Sequence, residues 1–489
     1  MSNDRWDEFV AYARLHFEEG LIRAGFRTGP VGWSGLINHG QGSTRVIITL
    51  PSRFPFRPPR VVPEEEENVG WSWHRERDGA LCLVAEDDHD DLWWTDSTAF
   101  LNHVSAWLEE ADAGWPNDRP DLDLERYFEP SRDHRVYLYD EIKDHVNTFV
   151  RFKPAKNDTM IMLRGTRIPK ARKSHKDRYG YVVELGDIDT PPRSWDDLEK
   201  RLPEELSIDR KIRDGSISVV MVTYRRGASL GVLALDLSVD AEQSIAAGAL
   251  TSASTGPEAR NVRAGILAPS LGNSKIAIVG LGAIGSFVAD ALVRSGARNL
   301  TLIDPDIILP GNLVRHLVDP SCVGLSKVEA VRRYLMERYG AQNLTLEPVA
   351  QRLDNGADAF DLIDAHDLVI NASADFATTA LLRVAAESQE QHVLSVALRD
   401  QGVTFRIDVL PPLTEVEATP ALVVPTTQEE VAELFEPGCG SPISPAPPHA
   451  VMEAAAAAVR HAIGILSGRP IDDAGETRSV APQGETHES

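Results

Sequence analysis

Apolar positions along the chain follow one rhythm near its start and another past its middle. Residues 5–24 place Trp6, Phe9, Val10, Ala13 and Phe17 at helical spacing, which predicts an amphipathic helix. Short runs with strand character come next at 31–37 and 44–50, then a proline-studded loop over 51–59 that leads into Arg60-Val61-Val62. After Cys82 come the pair Trp93-Trp94 and a second helix over about 97–110, before Gly114-Trp115-Pro116-Asn117-Asp118-Arg119-Pro120 marks a domain boundary. Residues 121–255 alternate strand-like runs (160–163, 181–183, 218–223, 231–237) with polar turns and carry no chemistry-bearing motif. The small, polar stretch 246–258 is expected to be a linker.

From Lys275 the pattern becomes strand, glycine turn, helix, strand, over 275–279, 280–285, 286–295 and 299–303. This is half of a parallel βαβ unit. A helix over 327–339, strands over 344–349 and 367–372, a helix over 376–389 and a last helix ending at Leu466 continue the rhythm. The expected organisation is therefore an α+β domain over 1–118, a linker or central mixed domain over 119–255, a doubly wound α/β domain over 256–470 and a disordered polar tail over 471–489.

Composition narrows the function. A net charge of −24 argues against nucleic-acid binding, since a polyanion would be repelled. No apolar run approaches the roughly 18 residues that span a membrane, and the start Met1-Ser2-Asn3-Asp4-Arg5 has no signal-peptide pattern, so a cytoplasmic protein is expected. Cys82, Cys322 and Cys439 are far apart with no CxxC pair, which leaves buried filler or nucleophiles rather than a zinc knuckle.

Gly280-x-Gly282-x-x-Gly285 lets backbone approach phosphates at a positively polarised helix N-terminus. With Asp304 24 residues after Gly280, the loop alone would equally suit an NAD-dependent oxidoreductase. The residues beyond the loop are more particular: Asp304-Pro305-Asp306, then Asn312-Leu313-Val314-Arg315, then Gly324-Leu325-Ser326-Lys327, then Asp375 after the next core strand. In this combination the sequence resembles the ThiF/MoeB and ubiquitin-activating family. The resemblance implies that Asp304, with Asp306 beside it, holds the ribose of ATP, that Asn312, Arg315 and Lys327 hold the triphosphate, and that Asp375 binds Mg²⁺. Arg260 or Arg263 resembles the family's arginine that reaches into a second copy, which implies a homodimer. Fixed cations and a metal also suit the charge problem, because adenylating a carboxylate brings an anion against a tetra-anionic nucleotide.

Two cysteines have telling neighbours. Cys439 lies in Glu436-Pro437-Gly438-Cys439-Gly440-Ser441-Pro442, and glycines and prolines around a thiol suggest an exposed loop. The ubiquitin-activating resemblance makes it the first thioester cysteine. Cys322, between Arg315 and Lys327, is read as structural. Phe54-Pro55-Phe56-Arg57-Pro58-Pro59, then His74, then Gly79-Ala80-Leu81-Cys82-Leu83, resembles the ubiquitin-conjugating fold, which implies a thioester on Cys82. That family's His-Pro-Asn is His74-Arg75-Glu76 here, eight residues before Cys82, so the asparagine that would stabilise the oxyanion is missing. His74 is read as structural, and the acidic run 86–91 as a solvated loop.

Together these readings imply an enzyme that adenylates the C-terminus of a ubiquitin-like protein, relays it through Cys439 to Cys82 and attaches it to a target lysine. Such fusions resemble bacterial enzymes found with antiphage systems and ubiquitin-like operons. An NAD-dependent oxidoreductase and a non-catalytic scaffold with an inactive conjugating domain remain the rival readings.

Overall fold

The amphipathic spacing at the start of the chain is realised as helix α1, Asn3–Arg23, which buries Phe17 and Leu21 completely. The computed structural model describes residues 3–480 apart from 41, 85–90, 119–121, 156–157, 166–176, 228, 257–258, 260–261, 341–343, 416–433, 436–441 and 444. The chain divides into two compact units, Met1–Gly256 and Pro257–Ser489.

In the first unit, β1 (Arg27–Thr28), β2 (Trp33–His39), β3 (Gly42–Thr49) and β4 (Arg60–Pro63) form an antiparallel meander in sequence order. Strands β2 and β3 close at His39↔Gly42, so both reach further toward this turn than their apolar runs suggest. Turn geometry, which an apolar pattern does not report, sets that register. Helix α2 (Ser97–Ala113) starts where the Asp96 carboxylate accepts the Thr98 and Ala99 amides, and stops at Gly114 in the left-handed conformation. Its Phe100, Val104 and Leu108 meet Phe17, Val46, Ile48 and Phe54 in one core. Each such fully buried side chain contributes about 1.5–3 kcal/mol. Trp94 Nε1 donates to the Pro55 carbonyl at 2.7 Å and anchors the proline loop.

The next strands are β5 (Glu129–Pro130), β6 (Val136–Tyr139), β7 (Phe149–Pro154), β8 (Met160–Leu163), β9 (Arg178–Gly186), β10 (Val219–Arg226), β11 (Ser229–Val239), β12 (Ile245–Leu250) and β13 (Ser252–Ser254). Their order in the sheet is β13-β6-β8-β7-β9-β10-β11-β12-β5. Its two ends are the same stretch of chain: Thr251 alone separates β12 from β13, and these pair in parallel with β5 and β6. The sheet therefore closes on itself. Alternation then fills both sides: Val219, Met221 and Val182 point inward with Tyr137 and Phe152, while Val220, Val222 and Val183 point outward. The outward set packs on Trp195 and Leu198 of helix α3 (Trp195–Glu199) and on Ile208 and Ile212 of helix α4 (Ile208–Arg213).

The expected linker at 246–258 is thus strand through Ser254. Its small residues serve close packing, since a Cβ on Gly248 would sit 3.0 Å from Ser131 Cα. The stretch at 114–120 separates two cores that still touch. Trp71 and Trp73 pack against the outer face of the closed sheet, and Tyr127 Oη donates to the Trp73 carbonyl at 3.1 Å.

The second unit is built on β14 (Lys275–Val279), β15 (Asn299–Ile303), β16 (Thr345–Val349), β17 (Leu368–Asn371) and β18 (Val393–Arg399). They lie parallel in the order β16-β15-β14-β17-β18, and β19 (Thr404–Leu410) extends the sheet antiparallel. Helix α5 (Ala268–Leu271) precedes β14. Helices α6 (Ala283–Arg294), α7 (Lys327–Tyr339) and α10 (Pro448–Leu466) share a core with one face of the sheet; α8 (Gly356–Ala365) and α9 (Phe376–Gln389) cover the other. This is the doubly wound α/β arrangement expected. Covered on both faces, strands such as Ile276-Ala277-Ile278-Val279 read as unbroken apolar runs. The short strands β20 (Leu434–Phe435) and β21 (Pro442–Ile443) pair with each other.

The polar tail departs from expectation. Strand β22 (Gly475–Ser479) pairs antiparallel with β19. Backbone hydrogen bonds at a sheet edge need no apolar side chains, so the apolar pattern gave no sign of it. No helix among the described residues is long and apolar enough to cross a membrane.

In the first unit Tyr224 Oη donates to the Leu122 carbonyl at 3.0 Å and accepts the Leu124 amide at 3.2 Å, deep in the core. Tyr224→Phe strands both backbone groups and should lower the unfolding free energy by about 1–3 kcal/mol, read from urea denaturation. An unaltered midpoint would show that the two bonds are not needed.

Candidate functional site

Strand order reverses between β14 and β17, and ligands of open parallel sheets settle at such a switch, outside the carboxyl ends of the strands. A cavity of about 260 Å³ lies there. Residues from the ends of four parallel strands line it: Gly280 after β14, Asp304 after β15, Arg352 after β16 and Asp375 after β17.

The three glycines of the loop do different things. Gly280 has φ of 90°, and a Cβ on it would lie 2.5 Å from Ser373 Cα. A Cβ on Gly285 would fall 1.8 Å from the Gly280 carbonyl oxygen, so only glycine lets helix α6 pack against the turn. Gly282 faces open space, leaving room for a ligand at the start of the helix.

Asp304, buried at 5% exposure, ties the loop to the next strand. One carboxylate oxygen accepts the Leu281 amide at 2.7 Å and the other accepts the Asp306 amide at 2.9 Å. Buried His316 holds the opposite side of Leu281, its Nε2 donating to the Leu281 carbonyl at 2.8 Å. Nδ1 is then the acceptor that faces the Val318 amide at 3.4 Å, which fixes a neutral tautomer. Burial first, with the Lys327 charge behind it, pushes His316 below its ordinary range, against opposing pulls from the Leu281 carbonyl and Asp304. Lys327 Nζ lies 2.8 Å from Asp306 and 3.7 Å from Asp304. Asp375 caps helix α9, and its hydrogen bonds from the Thr378 hydroxyl and amide hold its carboxyl below the usual range, with help from Arg352.

Residues 265–470 match the ThiF family model. This chain is also similar to several curated proteins. Molybdopterin-synthase adenylyltransferase of Escherichia coli (strain K12) is 33% identical over 135 residues, which is 27% of this chain and 53% of that protein. Adenylyltransferase and sulfurtransferase MOCS3 of Drosophila virilis is 34% identical over 126 residues, 26% of this chain and 27% of that one. Uncharacterized protein y4qC of Sinorhizobium fredii (strain NBRC 101917 / NGR234) is 36% identical over 121 residues, 23% and 21% of the two chains. The chain thus spans about half or less of the length of these relatives. Among solved structures, that of Escherichia coli MccB overlaps 44% of this chain and 64% of its own, at 18% identity and a TM-score of 0.34.

In the second unit the structure gathers Gly280, Gly282, Asp304, Asp306, Lys327 and Asp375 around one cavity. Gly285 lies just behind the loop. Asn312 and Arg315 are not among the lining residues. Asn312 Oδ1 accepts the Leu309 amide at 2.9 Å, and Arg315 ends the same short turn, Pro310–Val314. Arg263 is exposed in the turn Val262–Ala264, away from the cavity lining. Arg260 and Cys439 lie outside the described residues. Cys322 is buried in the core of the second unit. Gln351, Arg352 and Leu353 line the cavity and were not anticipated. Their signal was position: they come after the third parallel strand as Asp304 comes after the second.

In the first unit, the Cys82 amide donates to the His74 carbonyl at 2.8 Å and its carbonyl accepts Trp107 Nε1 at 3.0 Å. The side chains of His74-Arg75-Glu76 are all engaged elsewhere. His74 Nε2 meets Asp118 at 2.7 Å, buried Arg75 donates to the Gly79 and Val69 carbonyls, and Glu76 pairs with Arg60 at 3.0 Å. The acidic residues 86–90 lie outside the described residues.

The neutral His316 gives a pH prediction. Its folded form resists protonation, whereas the unfolded chain binds a proton near the ordinary value of 6.5. Stability from this group is fully present above that value and falls as pH drops through it toward the lower folded value. The melting temperature of the second unit should fall between about pH 7.5 and about pH 5.5. His316→Gln keeps a donor for Leu281 and should flatten that slope; an equally steep slope in the variant would remove His316 as its source.

Proposed function

We propose that this chain uses ATP to adenylate the C-terminal carboxylate of a ubiquitin-like or similar partner protein and carries the acyl group as a thioester to a target amine. The observation that supports this best is the convergence of the glycine loop, Asp304, Lys327 and Asp375 at the ends of four parallel strands. The match of residues 265–470 to the ThiF family supports it independently.

In this reading the phosphates approach the open face at Gly282, where the first amides of helix α6 have no helical partner. The ribose hydroxyls meet Asp304 and Asp306. Lys327 now pairs with Asp306, whose side chain is 61% exposed, and lies 3.7 Å from Asp304; a bound triphosphate would draw it away from the outer partner. Asn312 and Arg315 join it there. A partner carboxylate oxygen attacks the α-phosphorus, the bond to the bridging oxygen breaks, and pyrophosphate leaves an acyl-adenylate.

Among the described residues no trio of His, Cys, Asp or Glu could hold a metal alone. Mg²⁺ binds through one or two carboxylates together with substrate phosphates and water. Asp375 would supply the carboxylate, and the ion would neutralise charge on the phosphate oxygens.

Cys439 then takes the acyl group from AMP, Cys82 takes it from Cys439, and a target lysine takes it from Cys82. Arg263 is exposed, as a residue reaching into the second subunit of a homodimer must be. A helix–meander–helix arrangement around Cys82 supports the conjugating reading of the first unit. The cytoplasm supplies ATP and keeps the thiols reduced, and antiphage defence is the setting that the sequence resemblance favours.

The test mixes the full chain with a small ubiquitin-like protein that has a free C-terminal carboxylate, ATP and Mg²⁺. ATP–pyrophosphate exchange should appear and should fall about 100-fold or more in Lys327→Ala. Non-reducing gels should show thiol-sensitive adducts, one removed by Cys439→Ala and another by Cys82→Ala. An NADH-dependent absorbance change without exchange would replace this reading with an oxidoreductase, and adducts that persist in both cysteine variants would end the relay.

A further inference from the structure

Backbone register makes His74 and Cys82 neighbours. Arg75 and Leu81 form an antiparallel bridge. On one side of it the Cys82 amide donates to the His74 carbonyl at 2.8 Å, and on the other the Glu76 amide donates to the Ala80 carbonyl at 2.7 Å. His74 and Cys82 are therefore directly opposite one another. Opposite residues of an antiparallel pair share a face, with Cβ atoms about 5 Å apart. Burial follows the alternation: Arg75 and Leu81 turn into the core, whereas His74 and Cys82 are both half-buried.

Aromatic contacts hold the same pair from outside the hairpin. Trp107 Nε1 donates to the Cys82 carbonyl at 3.0 Å, the Trp107 and Trp115 rings lie 5.1 Å apart, and the Trp115 ring lies 3.8 Å from that of His74. Beyond the end of helix α2, the Asp118 carboxylate meets His74 Nε2 at 2.7 Å. A carboxylate accepts, so in the neutral ring Nε2 carries the hydrogen and Nδ1 the lone pair. Nδ1 is also the ring nitrogen closer to its own backbone, and hence to the hairpin partner. No hydrogen bond among the described residues occupies it. The imidazole keeps 23% of its surface exposed, which leaves a way in for an amine.

We propose that His74, read from the sequence as structural, is the general base of the Cys82 site and that Asp118 is its positioning residue. The inference rests on the reading of Cys82 as a thioester cysteine. In loading, Nδ1 takes the thiol proton as the Cys82 sulfur attacks the carbonyl carbon of the incoming thioester. A new C–S bond forms, the old one breaks with its pair going to the donor sulfur, and the proton passes from Nδ1 to that sulfur. In discharge, an amine nitrogen attacks the same carbon and gives a proton to Nδ1. The C–N bond forms, the Cys82 C–S bond breaks with its pair going to sulfur, and the proton returns to Cys82. Taking the proton from the attacking nitrogen keeps the adduct from reverting, a gain that does not depend on the asparagine missing from His74-Arg75-Glu76.

The experiment uses the full chain with Cys439→Ala as background. Cys82 is loaded by exchange with a peptide thioester of mercaptoethanesulfonate, without ATP, and chased with free lysine in a single turnover. His74→Gln separates a base from a strut, because glutamine can still donate to Asp118 but cannot take up a proton. Discharge should slow about 100-fold in His74→Gln and less in Asp118→Asn. Added imidazole should restore much of the rate to His74→Ala and leave the background chain unaffected. In a second arm, Cys82 is alkylated with neutral iodoacetamide and followed by peptide mass spectrometry; the rate should fall several-fold in His74→Gln, since the thiolate is the reacting form. Discharge of His74→Gln at the background rate, a loss in His74→Ala that imidazole does not restore, or unaltered alkylation overturns the proposal. Loading here needs no ATP, so a native chain that forms no Cys82 adduct with ATP overturns the thioester reading separately, while the alkylation arm still decides whether His74 serves the thiol.

Discussion

The buried Asp304 carboxylate is the tie on which the second unit's site depends. It receives the Leu281 amide on one oxygen and the Asp306 amide on the other, while His316 grips the Leu281 carbonyl from the far side. A glycine loop without such ties would have many conformations to lose on binding. Here its backbone is fixed in advance by groups from the second strand and the turn beyond it. Hydrogen bonds to a charged acceptor are among the stronger ones a protein makes, at about 1.5–3 kcal/mol each. The same carboxylate keeps Lys327 within 3.7 Å, so a cation waits at the cavity even though its nearer partner is the exposed Asp306.

A comparable economy governs the first unit. Because the sheet closes on itself, Thr251 and its neighbours serve two edges at once, and the exposed strand edges that invite aggregation are removed. The turn at Leu124–Tyr127 joins this sheet to the segment around Trp71 and Trp73. Two cores that could have been independent are thereby held as one compact unit.

Much of this was legible beforehand. Strands β14 and β15 and helices α7 and α9 begin and end where their apolar periodicity places them. Long periodic segments between glycine and acidic caps leave little choice. The glycine loop, Asp304, Lys327 and Asp375 were also readable, because spacing along βαβ units puts them all at strand ends. Gln351, Arg352 and Leu353 were not, since nothing in their chemistry marks them and only the neighbouring position of β16 brings them to the cavity. The strands at 245–254 and 475–479 were missed for a related reason. Small or polar residues form strands there because backbone partners are waiting, not because side chains demand it.

Sequence by itself therefore determined the doubly wound unit, its phosphate-facing loop and the two cysteines worth attention, because local periodicity and short motifs carry that information. Only the tertiary structure decided which charges meet. That Asp304 ties the glycine loop to the next strand, that Asn312 and Arg315 stand outside the cavity lining, and that His74 meets Asp118 across 44 residues of chain are matters of tertiary packing. Such contacts arise between segments whose separation in sequence says nothing of their distance in space.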